Sequence, residues 1–475
     1  MRYLFLIAFL GVLAQSCGTS PEPARKPIPE HPNIIVILAD DLGYGDLSGY
    51  GSPVISTPYL DRMAAEGMKL TSFYAMPSCS PSRAALLTGC FPPRVGIPDV
   101  IGPPGPQWTA DKQYGLHPDE ETLAEILQGA GYATGMIGKW HLGHFPEVMP
   151  QQHGFETFFG LPYSNDMLPK RGYPDLALLD GTDTVEVNPD QHFLTYRYME
   201  RAVGFIREHQ AEPFFLYLAH SMPHVPIFAA PPFDGRSGRG TFADVVEEID
   251  ASIGSIFLEL KNLGIDDNTL VIFTSDNGPW LTYGNHAGSA GPFREGKGTT
   301  WEGGVRVPCI WRWPAGIAPG KIDHKPATLA DILPTIAEVC GAKLPAQKID
   351  GRDLTALFVP TNAPASPVPL SPSNVPEDAV IPYWRSGNLD AIRRGKWKLH
   401  RRHHYRYVEE VANGGQEGKY AYTTTGQELY DLYGDPAERY DVAAQHPEIV
   451  AELEALGQQL QKEMDVGKRE PFRPE

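Results

Sequence analysis

Residues 33–40 read NIIVILAD, and this stretch decides the fold. Six consecutive apolar residues with no polar alternation make a strand buried on both faces, the habit of parallel sheets covered by helices. ATGMIGKW (133–140), PFFLYLA (213–219) and TLVIFTSDNG (269–278) repeat the pattern. Helical patterns lie around them. TPYLDRMAAEGM (57–68) has a proline near its start, and PDEETLAEILQGAGY (118–132) has an acidic first turn and a glycine stop. TFADVVEEIDASIGSIFLELKNLG (241–264) puts Val246, Ile249, Ile253, Ile256 and Leu260 on one face. The alternation predicts an α/β protein whose large, mostly parallel sheet is sandwiched by helices.

Further along, LADILPTIAEVCG (329–341) is followed by the Pro/Ser-rich TNAPASPVPLSPSNVPED (361–378), a linker by composition. LDAIRRGKWKLHRR (389–402) and YRYVEE (405–410) then read as antiparallel strands, ELYDLYGDP (428–436) ends in a turn, and PEIVAELEALGQQLQKEM (447–464) is an amphipathic helix. The expected division is a main domain over 33–360 and a smaller C-terminal α+β subdomain over 361–475, built on an antiparallel sheet and a helix.

At the other end, MR precedes YLFLIAFLGVLA, too short to span a bilayer and of the length of a signal-peptide core. Residues 1–17 are read as a signal peptide and 18–32 as a tether. LAQSC leaves two readings open: a lipobox in which Cys17 carries a lipid anchor, or a cut after Ala14-Gln15-Ser16 for ordinary secretion. The expected location is the periplasm or the cell surface of a bacterium, as a soluble protein or an outer-membrane lipoprotein.

Composition narrows the function classes. The 475 residues are 42% hydrophobic and 21% charged, which excludes a disordered chain, and 48 glycines with 46 prolines predict many shaped loops. A formal net charge of −18 argues against nucleic acid as a partner, so any anion must be met locally. Five scattered cysteines suggest neither a disulfide scaffold nor a zinc cluster.

Open parallel sheets place ligands beyond the carboxyl ends of their strands. There the sequence delivers Asp40 and Asp41, Lys139 and His141, His220 and His224, and Asp276 and Asn277. Asp40, Asp41, Asp276 and Asn277 are hard oxygen donors, and carboxylates brought together repel unless a cation such as calcium or magnesium joins them. Either pair alone reads equally as turn or cap residues. SCSPSRAALLTG (78–89) sets Cys79 at the entrance of a short helix, with Arg83 in the same turn. A helix N-terminus stabilises a thiolate or a bound oxyanion, so the residues alone suggest an activated cysteine beside a metal.

CSPSRAALLTG resembles the signature of the type I sulfatases, the arylsulfatase A-like branch of the alkaline phosphatase superfamily. ILADDLGYGDLSGYG, IGKWHLG, LPYSNDM, HSMPH, TSDNGP and GKGTTWEGGVRVP agree with it in order along the chain. The resemblance implies that Cys79 is converted by a formylglycine-generating maturation enzyme, so that a thiol is not the catalytic group. It further implies one divalent cation, calcium before magnesium, held by Asp40, Asp41, Asp276, Asn277 and the modified Cys79. Lys139 and Lys297 would carry the sulfuryl charge and His224 with Lys297 would protonate the leaving alkoxide. His141 would act as base when sulfate departs, Arg83 would fix the nucleophile, and Ser164 would touch the sulfate.

Substrate contacts are expected from Ser164 with its neighbours Tyr163 and Asn165, from Trp280, His286 and Arg294, and from the basic run Arg393–Arg406, His400 first. That run reads equally as an edge strand protected by charge. The reading is an exported sulfatase acting on a sulfated carbohydrate. Its rivals are a phosphodiesterase or phosphonate monoester hydrolase of the same superfamily, and a lipoprotein that only binds sulfated glycans. Cys90, Cys309 and Cys340 are expected to be buried free thiols.

Overall fold

The computed structural model describes residues 31–109, 113–358 and 378–474. The signal peptide with Cys17, nearly all of the tether and most of the Pro/Ser-rich linker lie outside them. NIIVILA forms β1 (Asn33–Ala39), and its side chains alternate between two cores. Ile34, Val36 and Leu38 enter one hydrophobic cluster, while Ile35, Ile37 and Ala39 enter the other. A strand that must satisfy both faces cannot carry a polar residue, which is why the run is unbroken.

The remaining strands of this sheet are β2 (Met68–Tyr74), β3 (Ala133–Lys139), β4 (Thr157–Leu161), β5 (Ala177–Asp180), β6 (Asp183–Val187), β7 (Phe214–Ala219), β8 (Thr269–Ser275), β9 (Arg306–Arg312), β10 (Lys321–Asp323) and β11 (Ala327–Thr328). Their order is β10-β2-β9-β8-β1-β7-β3-β4-β5-β6, with β11 beside β2. The middle, β8-β1-β7-β3-β4, is parallel, and Ile35 of β1 pairs with Leu216 and Val271 on its two sides. Antiparallel β9 and the β5–β6 hairpin join its flanks.

Helices α1 (Pro58–Ala65), α2 (Cys79–Thr88), α3 (Leu123–Gly129), α4 (Leu194–Glu208) and α5 (Thr241–Asn262) follow in chain order, then the one-turn α6 (Glu302–Val305) and α7 (Ile332–Cys340). Leu86, Leu127 and Ile336 put α2, α3 and α7 on one face of the sheet, and Met63, Tyr198 and Ile253 put α1, α4 and α5 on the other. The fold is therefore the expected sandwich. One helix is shorter than its pattern. Asp119, Glu120 and Glu121 stay outside α3, because Thr122 and Glu125 close a reciprocal capping box that starts the helix after them.

The C-terminal region holds a four-stranded antiparallel sheet, β12 (Val380–Arg385), β13 (Asn388–Arg394), β14 (Trp397–His400) and, after an intervening ribbon, β17 (Glu428–Asp431). Helix α8 (Pro447–Gly467) packs its Leu453 and Met464 against it. YRYVEE departs from expectation. It lies in β15 (His403–Glu410), which pairs with β16 (Lys419–Thr425) as a separate ribbon, since β17 already occupies the edge of β14. Cys90, Cys309 and Cys340 are buried and free.

Asp250 of α5 accepts hydrogen bonds from the Tyr59 and Leu60 amides and so caps α1, whose own Thr57 makes no capping bond. Asp250→Ala is expected to cost about 1–2 kcal/mol, read from urea unfolding midpoints. Burial also pushes Asp250 up to about 7 and Asp46 up to about 8, against the pull of the amides each accepts. Acids raised in this way contribute stability below their unfolded range and lose it as pH rises through the folded values. Burial holds His153 and His220 at about 4, so their contribution is lost as pH falls below 6.5. The two sets oppose each other on the acid side, and only the acids titrate above it. The unfolding midpoint is expected to fall between pH 6.5 and pH 8.

Candidate active site

Three of the central parallel strands deliver polar residues to one rim. β1 is followed by Asp40 and Asp41, β3 ends in Lys139 with His141 two residues on, and β8 is followed by Asp276 and Asn277. Asp41 (φ 63°) and His141 (φ 61°) both take the left-handed conformation that side chains with a Cβ avoid. Such strain persists only where the surroundings over-determine it, and here it turns two polar side chains toward one point. Gly138 leaves no room for a Cβ, which would stand 1.8 Å from the Ala219 carbonyl oxygen, so β3 can lie tight on β7 and hold Lys139 in place.

Around this point Lys139 Nζ donates to Asp40 and lies 3.1 Å from Ser164 Oγ. Lys297 Nζ is 2.7 Å from Asp41 Oδ1 and 3.4 Å from Cys79 Sγ. Arg83, completely buried, grips Asp276 Oδ2 through Nη2 (2.8 Å) and Nε (3.2 Å) and donates to the Lys139 carbonyl at 2.6 Å. Ser82 Oγ donates to the Asp276 carbonyl and ties α2 to the end of β8. Three buried carboxylates thus face three buried cations.

Cys79 Sγ stands 3.3 Å from Asp40 Oδ1. Burial, then the charges of Asp276 and Asp40, raise its thiol well above the usual range, outweighing Lys139 and Lys297. An activated thiolate, suggested by the residues alone, is therefore disfavoured.

The donor set suits a hard cation. Ligand atoms of Asp40, Asp41, Cys79 and His224 lie within 4.8 Å of one another, and Asn277 Oδ1 is buried with no hydrogen-bond partner. Asn277 Nδ2 donates to Asp41 Oδ1 at 2.7 Å, so the amide already borders the group. His224, which belongs to this group by distance, was read from sequence as a proton donor. Asp276 is engaged through Oδ1 by the Asp41 amide (3.1 Å) and through Oδ2 by Arg83.

The cluster floors a cleft of about 990 Å³ whose lining includes Cys79, His141, Ser164, His224, Trp280 and Lys297. Lys297 Nζ sits 4.6 Å from the centre of the Trp280 ring. His141 gives Nε2–H to the Ile101 carbonyl at 2.7 Å, which leaves Nδ1 as a buried acceptor without a partner. His220 is buried beneath the rim and does not line the cleft.

Of the residues singled out to meet substrate, Ser164 and Trp280 line the cleft, and Tyr163, Asn165, His286, Arg294 and His400 do not. Asn165 turns inward, its Nδ2 3.0 Å from Gln191 Oε1 and 3.1 Å from the Pro226 carbonyl. His286 packs against Gly415, behind the loop that carries it. Arg294 lies 3.6 Å above the Trp301 ring and donates to the Tyr405 hydroxyl and the Glu438 carbonyl. His400 is fully buried, stacked on Trp301, with Nε2 2.8 Å from Glu438. Tyr163 points its hydroxyl at the Asp175 carbonyl. From the basic run only His404 and Arg406, with Tyr405 between them, reach the cleft.

Sequence reading missed several residues of the cleft wall, among them Asp99, Trp108, Tyr114, Arg171, Arg385 and Arg473. They come from irregular segments or element ends, where no periodicity points a side chain. The buried group beneath Lys297 was missed too. Lys398 bridges Glu302 (2.9 Å) and Glu438 (2.9 Å) and donates to the Thr300 carbonyl at 2.7 Å, while Arg406 Nη2 donates to the Lys297 carbonyl at 2.7 Å.

A rim of this kind grips an anionic group by its oxygens and exposes the next bond to attack from α2, which defines a hydrolase of acidic esters. The chain belongs to the sulfatase family: the model for sulfatases matches residues 32–342, and the model for the C-terminal region of aryl-sulfatase matches residues 376–471. It is 39% identical over 469 residues to arylsulfatase A of Bos taurus, covering 92% of this chain and 89% of the relative. To N-acetylgalactosamine-6-sulfatase of Canis lupus familiaris it is 38% identical over 469 residues, covering 92% and 87%. The crystal structure of PsFucS1 sulfatase from Pseudoalteromonas superposes with a TM-score of 0.77 at 26% identity, over 94% of this chain and 92% of that one. The activity is hydrolysis of sulfuric esters.

Lys398→Met keeps the apolar stem and removes the charge between Glu302 and Glu438. The expected loss is about 3–5 kcal/mol, because Glu438 is left buried without its lysine while Glu302 keeps Arg306, at 3.2 Å. Guanidinium unfolding midpoints measure it, and aryl sulfate turnover is expected to fall with it as the Lys297 loop loosens.

Proposed function

We propose that this chain is an exported bacterial sulfatase that desulfates a carbohydrate, with Cys79 matured to formylglycine and one divalent cation, calcium before magnesium, at the rim. The observation that carries the reading is Cys79 itself. Its side chain sits at the cleft floor at the entrance of α2, 3.3 Å from Asp40 and 3.4 Å from Lys297, where an oxygen nucleophile on residue 79 would face both the acids and the cleft. Asp40, Asp41, Asp276, Asn277 and the matured residue 79 would hold the cation. Bound there, the cation would supply charge for the sulfate oxygens, and formylglycine would supply an oxygen nucleophile.

The rest of the step falls to side chains already in place. Ser164 and Lys297 line the cleft and would give donors to the sulfuryl oxygens, and Lys139, 3.1 Å behind Ser164 Oγ, adds its charge. Arg83 holds Asp276 and the β3 carbonyl, so that Lys139 and the attacking residue keep their spacing. His224 gives Nδ1–H to the Val225 carbonyl at 2.6 Å and turns Nε2 to the cleft, 3.5 Å from Ser164 Oγ. With Lys297 it delivers the proton that the departing alkoxide requires as the S–O bond to the alcohol breaks. His141 Nδ1 takes a proton from residue 79 when sulfate leaves. In sum, sulfate ester and water give alcohol and sulfate.

Carbohydrate is favoured by the cleft. Trp108, Tyr114 and Trp280 offer flat faces and Asp99, Asp166 and Glu417 offer acceptors, a wall suited to a ring with many hydroxyls. The canine relative is named for a sulfated amino sugar. Export rests on the leader, and among the described residues no helix is long and apolar enough to cross a membrane.

The test is sulfate release by ion chromatography from chondroitin, heparan, carrageenan and fucan sulfates, an aryl sulfate and a matched phosphate ester. Protein co-expressed with the maturation enzyme should show a residue-79 peptide that has lost a sulfur and two hydrogens and gained an oxygen. Cys79→Ala is expected to lower turnover by about 10³-fold or more. Chelation should abolish it and calcium restore it. Full activity with an unmodified cysteine would refute the mechanism, and a phosphate ester outrunning every sulfate would favour the phosphorus rival.

A further inference from the structure

The catalytic cleft borders a second groove at the C-terminal sheet. Arg385, at the end of β12, and His404, in β15, line the cleft, and the same two residues line that groove, of about 760 Å³. Each space alone is large enough for a drug-sized ligand, and together they exceed what one sulfated monosaccharide fills. The lining of the second groove holds Arg385, Arg401, Arg402, His403 and His404 against two acids, Asp390 and Glu454.

Most of that charge is spent internally. Arg385 is paired with Asp390 at 2.7 Å, Arg401 with Glu454 at 3.0 Å, and His404 Nδ1 is 2.7 Å from Thr424 Oγ1. Arg402 differs. It is exposed, lines the groove, and makes no ion pair or hydrogen bond among the described residues. In a chain with a formal charge of −18, an unpaired guanidinium in a groove that borders the active-site cleft is a local exception.

We infer that this groove binds the continuation of an oligomeric substrate, and that Arg402 takes an anionic group, a sulfate or a carboxylate, on a sugar beyond the one being desulfated. The inference rests on the carbohydrate reading above and extends it from a sugar to a chain. Arg385 and His404 form the sill between the two spaces, and Arg402 supplies a two-pronged grip for the distal anion. It acts on affinity for long substrates, not on the chemical step, because nothing links it to Cys79 or the rim.

The experiment uses di-, tetra- and hexasaccharides of whichever sulfated glycan in the panel is cleaved fastest, with an aryl sulfate beside them. Wild type, Arg402→Glu and Arg402→Lys are compared, each with residue-79 maturation confirmed. In wild type, KM is expected to fall as the chain lengthens. In Arg402→Glu the ratio of hexasaccharide to aryl sulfate kcat/KM should drop about tenfold, the worth of one charge-assisted contact, and most of the drop should lie in KM. Arg402→Lys should recover part of it, and added salt should narrow the gap between wild type and Arg402→Glu. A ratio that stays put while the hexasaccharide is cleaved overturns the groove and leaves the carbohydrate reading standing. Cleavage of the aryl sulfate with no glycan of any length touched overturns both.

Discussion

Three carboxylates and three cations share a dry volume at the end of one sheet, and the rest of the molecule is arranged around keeping them together. Asp40, Asp41 and Asp276 are buried against Lys139, Lys297 and Arg83. Ions taken out of water cost several kcal/mol each unless geometry returns the loss, so the register of β1, β3 and β8 is not free to slip. A slip of one residue would exchange the two cores and withdraw an acid from the rim. Arg83 and Ser82 then bind α2 to the same point, which brings the helix N-terminus and Cys79 to the charges.

The C-terminal region takes part in this constraint. The loop that carries Lys297 is short of secondary structure, with only the one-turn α6 after it. It is held from outside by Arg406 on the Lys297 carbonyl, Lys398 on the Thr300 carbonyl and Glu438 on the Glu302 amide at 2.7 Å. Burial opposes ionisation of Glu302, yet Lys398, Arg306 and Arg393 hold it at about 2, while burial, partly offset by Lys398, and the charge of Glu302 push Glu438 up to about 7. Lys398 serves both acids, and Arg306 adds a second cation to Glu302 at 3.2 Å. The antiparallel sheet thus positions a residue of the parallel one.

The sheet and the rim were legible because both follow from period and position. Unbroken apolar runs predicted the strands, and the residues after them predicted the acids, Lys139 and two histidines of the cluster, while Cys79 and Arg83 came from the helix-entrance motif and Lys297 from the resemblance alone. Direction was not legible. His400 and Lys398 are two apart on β14, so both turn inward to Glu438, while the next strand, β15, carries His404 and Arg406 to the cleft. A basic run in a sequence does not say which of its members does which. Arg294 and His286 lie close to the motif yet serve the seam and a loop behind it, and Arg385 and Arg473 reach the cleft from far along the chain because the turns that bring them there have no periodic signal.

The two histidines at the floor show how backbone carbonyls assign chemistry. A carbonyl oxygen can only accept, so each ring nitrogen that meets one must carry the proton. The Ile101 carbonyl takes the Nε2–H of His141, and the Val225 carbonyl takes the Nδ1–H of His224. The nitrogen left over is Nδ1 in the first ring and Nε2 in the second. Each neutral ring therefore leaves an acceptor free, from opposite corners of the imidazole, without any charged partner to fix the tautomer. For His141 the free Nδ1 fits the proposed role of base, since among the described residues no donor competes for it. For His224 it is half of one, since Ser164 and Asp41 lie 3.5 Å and 3.7 Å from Nε2 and the ring must first gain a proton to give one. In the proposed reaction Lys297, 2.7 Å from Asp41, supplies the ammonium charge that the neutral ring lacks, so the two residues are assigned the proton delivery together.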